Sequence, residues 1–253
     1  MFAQERHILI LDLLDREGSV RVATLAERLQ VTEETVRRDL ERLGNDGKLL
    51  RTHGGALPLD ASKREQPFEV RRSAQQREKD AIARIAAEQV HDGEVIAIDG
   101  SSTAFAVARA LADQAITVIT TSMPVIMALA QRSRIRVVCA GGTLDRTSMS
   151  LSGALTEQVL DHYNIHRLFL SCAGVDADRG LTETADGLAA VKRRLIARAD
   201  RTYLLADHTK FGVRGGVTFA GIDQIDALIT DRIADPDQLA RITQAGVTIH
   251  QAD

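Results

Sequence analysis

The sequence predicts an α/β chain in two parts, a small helical N-terminal domain and a larger doubly wound, mainly parallel α/β domain. Three observations predict it. Three amphipathic stripes occupy the first 45 or so residues and end in a short strand with a glycine-rich turn. A polar stretch carrying Pro58 and Pro67 shows no sustained period. From Gln75 onward, short apolar runs alternate with amphipathic helices, the signature of a parallel sheet covered on both faces. The expected divisions are 1–57, a linker over 58–73, and 74–253, and a length of 253 residues accommodates two domains.

Ile8, Leu11 and Leu14 form the stripe of a first helix that stops near Gly18, and Val22, Leu25, Ala26 and Leu29 form a second, shorter one. Thr32 is placed to cap a third helix, in which Val36, Leu40 and Leu43 fall on one face. Glu33 and Glu34 occupy its first turn, where the helix dipole favours carboxylates, and Gly47 stands beyond its end. Lys48 to Thr52 reads as a strand and His53 to Pro58 as a tight turn leaving it, together a small wing. Two helices joined through Gln30-Val31, with polar residues opening the second, make a winged helix-turn-helix.

In the second part, helices are expected over 81–90, 104–111, 124–131, 155–163, 188–199 and 238–245. The apolar runs at 95–98, 117–120, 136–140, 168–172, 203–206, 227–230 and 247–249 are the strands between them. Cys139 and Cys172 both lie in strand-like runs, which suits buried thiols in a reducing compartment, and neither has metal-ligand spacing. No cofactor or metal is expected.

Hydrophobic residues at 44% supply a core, and no run approaches the length needed to span a bilayer. The N-terminus lacks the basic flank and apolar core of an export signal, so a cytoplasmic protein with no membrane partner is expected. The formal net charge is −3, and residues 1–56 hold nine Lys/Arg against ten Asp/Glu. A nucleic-acid footprint must therefore come from arrangement, and Arg37, Arg38, Arg42, Lys48 and Arg51 are clustered late in that segment.

With Val36, Leu40 and Leu43 inward, Thr32, Glu33, Thr35, Arg37 and Arg38 are left outward near the end of the helix that enters a major groove in such motifs. Arginine binds guanine bidentately or clamps phosphate, and threonine contacts phosphate or a thymine methyl. The plainer reading is that Glu33 with Arg37, and Glu34 with Arg38, are i, i+4 surface pairs. In open parallel sheets ligands sit beyond the carboxyl ends of strands. The loops there are Asp99 to Thr103 at a helix start, Thr121-Ser122, Gly141-Gly142, and Asp207 to Gly212. Each is weak alone, because Ser/Thr caps and glycine turns are common.

Leu25 to Leu40, ending in T-V-R-R-D-L, followed by Gly47 to Ala56, ending in R-T-H-G-G-A, resembles the DeoR family of bacterial regulators. The resemblance extends over nearly the whole chain, through Asp99 to Thr103, Thr121-Ser122, Gly141-Gly142, Val191-Lys192-Arg193 and Ala206 to Gly212. It implies a double-stranded DNA operator as partner, read through Thr32, Glu33, Thr35, Arg37 and Arg38. The wing residues Arg51, His53 and Gly54 would lie near the duplex backbone, and Gly54 and Gly55 would let the wing approach it closely.

For the second domain the resemblance implies a sensor similar in fold to ribose-5-phosphate isomerase, binding a phosphorylated sugar or polyol. The implied contacts are Asp99, Ser101, Ser102, Thr103, Thr121, Ser122, Gly141, Gly142, Lys192, Asp207 and Lys210, with Lys192 and Lys210 bringing positive charge to a phosphate. Two positions depart from the family pattern: Ser101 stands where glycine is usual, and Leu188 where many members have glutamate. The expected function is a transcriptional regulator, a repressor of a carbohydrate-utilisation operon, acting as a dimer or tetramer because one helix-turn-helix reads only a short half-site. A sugar-phosphate isomerase using Asp99, Asp207 and a lysine, and a protein-docking winged helix, are the alternatives.

Overall fold

The structure, a computed structural model, describes residues 2–17, 19–52, 54–58 and 65–252. His53, expected at the wing tip, lies outside them. In the N-terminal part α1 (Ala3–Glu17) is followed by β1 (Val20–Arg21), α2 (Val22–Leu29), α3 (Glu33–Asn45), β2 (Leu49–Thr52) and β3 (Gly55–Pro58). The second wing strand begins at Gly55, where the sequence reads as a turn. β3 lies between β1 and β2, antiparallel to both, so the wing is tied to the start of α2.

The turn between α2 and α3 is set by Gln30, which ends α2 in a left-handed conformation (φ 54°) while its N–H is satisfied by carbonyls of α2. Thr32 then caps α3, its hydroxyl accepting from the Thr35 N–H at 3.3 Å. Ile10, Leu14, Leu25, Leu29, Val36, Leu40 and Leu43 close a core of their own, with Leu49 and Ala56 from the wing.

The segment expected as the interdomain linker, 58–73, carries a helix in its last part. Phe68–Ser73 forms a short helix, α4, and Phe68 is buried against Phe105, with ring centroids 5.4 Å apart and near-perpendicular. Six residues are too few for an amphipathic period to register, and Pro67 at the N-cap hides the element as a breaker.

Beyond it the chain runs through α5 (Gln76–Glu88), β4 (Val95–Ile98), α6 (Ser102–Ala110), β5 (Ile116–Thr120), α7 (Met123–Leu129), β6 (Ile135–Cys139) and the hairpin β7 (Thr143–Asp145) and β8 (Ser150–Ser152). Next come α8 (Ala154–Asp161), β9 (Arg167–Leu170), β10 (Gly174–Asp176), β11 (Gly180–Glu183), α9 (Asp186–Arg198), β12 (Thr202–Leu205), β13 (Val217–Ala220), β14 (Ala227–Asp231), α10 (Pro236–Gln244) and β15 (Thr248–Ala252).

Seven strands make one sheet in the order β15-β14-β12-β9-β4-β5-β6, all parallel. Successive residues point to opposite faces. Ile96, Ile98, Val118 and Phe169 pack under α5, α6 and α7. Ala97, Ile119, Leu168 and Leu170 pack with residues of α8, α9 and α10. The chain winds outward from β4 through β5 and β6, then returns to β9 on the other side of β4, so the order reverses between β4 and β9. That reversal opens a crevice at the strands' carboxyl ends.

Two smaller antiparallel sheets, β7-β8 and β10-β11-β13, are additions the apolar runs do not announce. Cys172 is buried as expected, but Cys139 is exposed, because it ends β6, the sheet's edge strand. No helix among the described residues is long and apolar enough to cross a membrane.

Candidate functional site

On α3 the inward face is closed by Val36, Leu40 and Leu43, each at most 1% exposed. Thr32, Glu33, Arg37 and Arg38 are exposed and Thr35 is half-buried. Arg37 donates to Glu33 at 2.5 Å and Arg38 lies 3.3 Å from Glu34, so the i, i+4 pairs form, yet both arginine side chains remain more than half exposed. Pairs in contact with water are weak, of order 0.2–1 kcal/mol, so neither arginine is committed to its carboxylate. Arg51 is exposed on β2, its Nη1 4.0 Å from Glu41, which puts it beside α3.

Asp39, inside the same T-V-R-R-D-L run, does something different. Its side chain is 8% exposed and receives Arg6 through Nε at 2.7 Å and Nη2 at 3.1 Å, and His7 at 3.0 Å. Burial works against the charge, but the Arg6 and His7 hydrogen bonds outweigh it and hold the carboxyl below the ordinary range. Asp39 thus fastens α1 to α3.

The glycines of the wing also divide. A Cβ on Gly54 would meet open space, whereas one on Gly55 would collide with the Val20 carbonyl oxygen. Gly55 serves the fit of β3 on β1. Gly54 accepts from the Val22 N–H through its own carbonyl, at 2.9 Å.

The second group of residues meets at the β4/β9 crevice. Asp99 comes directly after β4, is 1% exposed, and accepts from the Ser101 N–H (2.9 Å) and the Ser171 N–H (3.1 Å), joining the loops on either side of the crevice. Ser101, at the position expected to favour glycine, has φ −80° and ψ 156°, ordinary extended backbone. It caps α6 by accepting from the Ala104 N–H at 3.1 Å. A cavity of about 270 Å³ lies here, lined by Ser101, Ser102, Thr103, Asp207 and Lys210 among others. A narrow recess opening beside it reaches Asp99, Thr121, Leu188 and Lys192.

Three expected contacts are not brought to this cavity. Ser122 is fully buried and caps α7, accepting from Val125. The Gly141 carbonyl accepts from the Thr156 hydroxyl at 2.7 Å, and a Cβ on Gly142 would strike that hydroxyl and the Ser152 carbonyl. These residues seat α7, α8 and β8 and line neither the cavity nor the recess.

Lys192 also departs from the expectation of a cation facing a phosphate. It is 4% exposed, and its ammonium pairs with Glu183 and with Asp99 (3.1 Å) while donating to the Ser171 carbonyl at 2.6 Å. Burial opposes its charge, but the two carboxylates prevail and raise its pKa above the ordinary lysine value. The cluster is a buried structural knot beside the cavity.

Among the lining residues outside the expected set, four carry charge: Glu65, Arg71, Lys79 and Glu183. Lys79 of α5 is 5% exposed and donates to the Arg71 (2.5 Å) and Ala74 (2.6 Å) carbonyls, closing the end of α4. Burial pulls its pKa down to about 8. In the sequence it stands on the flank of an amphipathic helix, indistinguishable from a surface lysine. No group of metal-ligating side chains occurs among the described residues.

The DeoR-like helix-turn-helix domain family matches residues 6–61, and the DeoR C terminal sensor domain family matches residues 74–232. An uncharacterized HTH-type transcriptional regulator, YulB of Bacillus subtilis, is 37% identical over 98% of this chain and 96% of its own. The transcriptional repressor GlcR of the same organism is 32% identical over 92% of this chain and 90% of its own. The L-fucose operon activator of Escherichia coli is 36% identical over 88% of this chain and 92% of its own. With a recognition-type helix, a wing and a crevice-bearing sheet joined in one chain, the protein belongs to the DeoR family of helix-turn-helix transcriptional regulators.

Proposed function

We propose that this protein is a repressor of a carbohydrate-utilisation operon, whose hold on an operator is modulated by a phosphorylated sugar or polyol bound in the β4/β9 cavity. Residues 1–57 form the DNA-reading unit, 58–73 the connection, and 74–253 the ligand-binding and oligomerising unit. The observation that carries the reading is the pair Arg37 and Arg38, exposed on a helix whose opposite face is sealed in the core. Weakly paired guanidinium groups exchange a carboxylate for guanine or phosphate at little loss. Thr32, Glu33, Thr35 and the wing residues Arg51, His53 and Gly54 complete the reading surface, and a cytoplasmic site of action accords with a genomic partner.

The ligand contacts are Ser101, Ser102, Thr103, Asp207 and Lys210 around the cavity, with Asp99, Thr121 and Lys192 behind them. Free N–H groups at the start of α6 suit a phosphate. Binding acts on DNA only through a difference in ligand affinity between two arrangements of a homodimer or tetramer. A non-catalytic role is supported by two of the groups an isomerase would draw on: Asp99 is held by two N–H groups and Lys192, and Lys192 by two carboxylates.

The test is gel retardation with fragments flanking the protein's own gene. Arg37→Ala and Arg38→Ala each weaken retention, by about 1–3 kcal/mol where a base contact is lost. Ser102→Ala and Lys210→Ala leave retention intact and blunt release by a sugar phosphate identified in a thermal-shift panel. A protein that retards none of these fragments at low ionic strength, or that turns over ribose 5-phosphate, sinks the reading.

A further inference from the structure

Within the interdomain connection the first described residue after Pro58 is Glu65, and its side chain is turned into the cavity wall, only 13% exposed. One oxygen pairs with Arg71 Nη2 at 2.9 Å, and the other accepts from the Thr184 hydroxyl. Arg71 is fixed for this contact: its Nε donates to the Gln66 carbonyl at 3.0 Å, and its guanidinium lies over the Phe68 ring, 5.8 Å from the centroid.

The seat is an uncomfortable one for a carboxylate. Burial pushes Glu65 above the ordinary carboxylate range, Arg71 pulls back against it, and the charge on nearby Glu183 adds to the rise. A surface glutamate beside a solvated arginine would face neither penalty. Charge balance points the same way. Arg71, Lys79 and Lys210 face Glu65 and Asp207, and the Lys192 knot adds one net negative charge through Asp99 and Glu183. With Glu65 seated the site is neutral. Without it, one positive charge is unmatched.

A guanidinium Nη2 flanked by a hydroxyl is suited to a phosphate or other oxyanion, which offers more oxygens and more charge than one carboxylate. We infer that Glu65 is an internal stand-in for the anionic part of the ligand, occupying the Arg71–Thr184 corner until an incoming phosphate group displaces it. This rests on the reading of the cavity as the ligand site and adds how its occupancy reaches the DNA-reading unit. Glu65 lies in the stretch that begins after Pro58, so evicting its side chain releases an anchor of the connection itself.

The test is calorimetric titration of the full-length protein with inorganic phosphate at low ionic strength, comparing the parent with Glu65→Gln and Glu65→Ala. Removing a built-in competitor raises the fraction of protein ready to bind, so both variants are expected to bind phosphate about tenfold more tightly. Adding Arg71→Met to Glu65→Gln removes the gain. Parent-like or weaker affinity in both single variants overturns displacement while leaving the cavity as a ligand site. Absence of phosphate binding by all the proteins overturns displacement together with the anionic-ligand reading of the cavity, and DNA retardation remains a separate measurement.

Discussion

Similar ion pairs do opposite work in the two halves of the molecule. On α3, Arg37–Glu33 and Arg38–Glu34 lie in water, where Coulomb attraction is screened and the pair is easily remade with another anion. Beside the cavity, Lys192, Asp99 and Glu183 are almost fully enclosed, and taking any one away strands a buried charge. Burial decides whether a charged residue is available to a partner or committed to the fold. Asp39 is instructive because it sits one residue from Arg38 and belongs to the committed class.

The largest expected effect tests the committed side. Lys192→Met leaves Asp99 and Glu183 unpaired and should lower the stability of the larger domain by about 3–5 kcal/mol, read from denaturant unfolding. A loss below about 1 kcal/mol would place Lys192 with the exchangeable charges. Asp39→Ala should lower the unfolding free energy of the N-terminal domain by about 1.5–3 kcal/mol, through lost hydrogen bonds to a charged partner. The same group predicts a pH response. Because its folded pKa lies below the unfolded value, its contribution is complete above pH ~4 and disappears as pH falls through the folded value, so the parent and Asp39→Ala should converge in stability in acid.

Gly55→Ala should destabilise the wing by about 1–3 kcal/mol through a clash with the β1 backbone, while Gly54→Ala stays within about 0.5 kcal/mol. Equal losses would mean the two glycines share one role. The smallest effect belongs to the exchangeable side. Glu33→Gln or Glu34→Gln should change stability by about 0.2–0.5 kcal/mol, visible only in a careful thermal melt.

The architecture is largely legible in the sequence because buried parallel strands read as short apolar runs and their covering helices as stripes. All seven strands of the main sheet overlap such runs, though β15 continues past its run through His250, Gln251 and Ala252. The hairpin β7-β8 is not legible, since Thr143, Leu144 and Asp145 are exposed and carry no alternation. Asp99, Ser101, Asp207 and Lys210 are legible because they stand in loops at the carboxyl ends of apolar runs, where an open parallel sheet gathers its ligand contacts. Glu65 and Arg71 are not, because they come from a polar stretch and a six-residue helix, and what places them is packing across distant sequence. Ser122, Gly141 and Gly142 show the converse: loops at the same sheet edge, but turned to seating a helix and a hairpin.

The three-stranded arrangement of β1, β3 and β2 has a mechanical consequence. Since the wing is laced to the start of α2, and α3 shares the same apolar interior, hairpin and helix pair are held by one sheet and one core. Any signal that repositions α3 must therefore carry the wing with it.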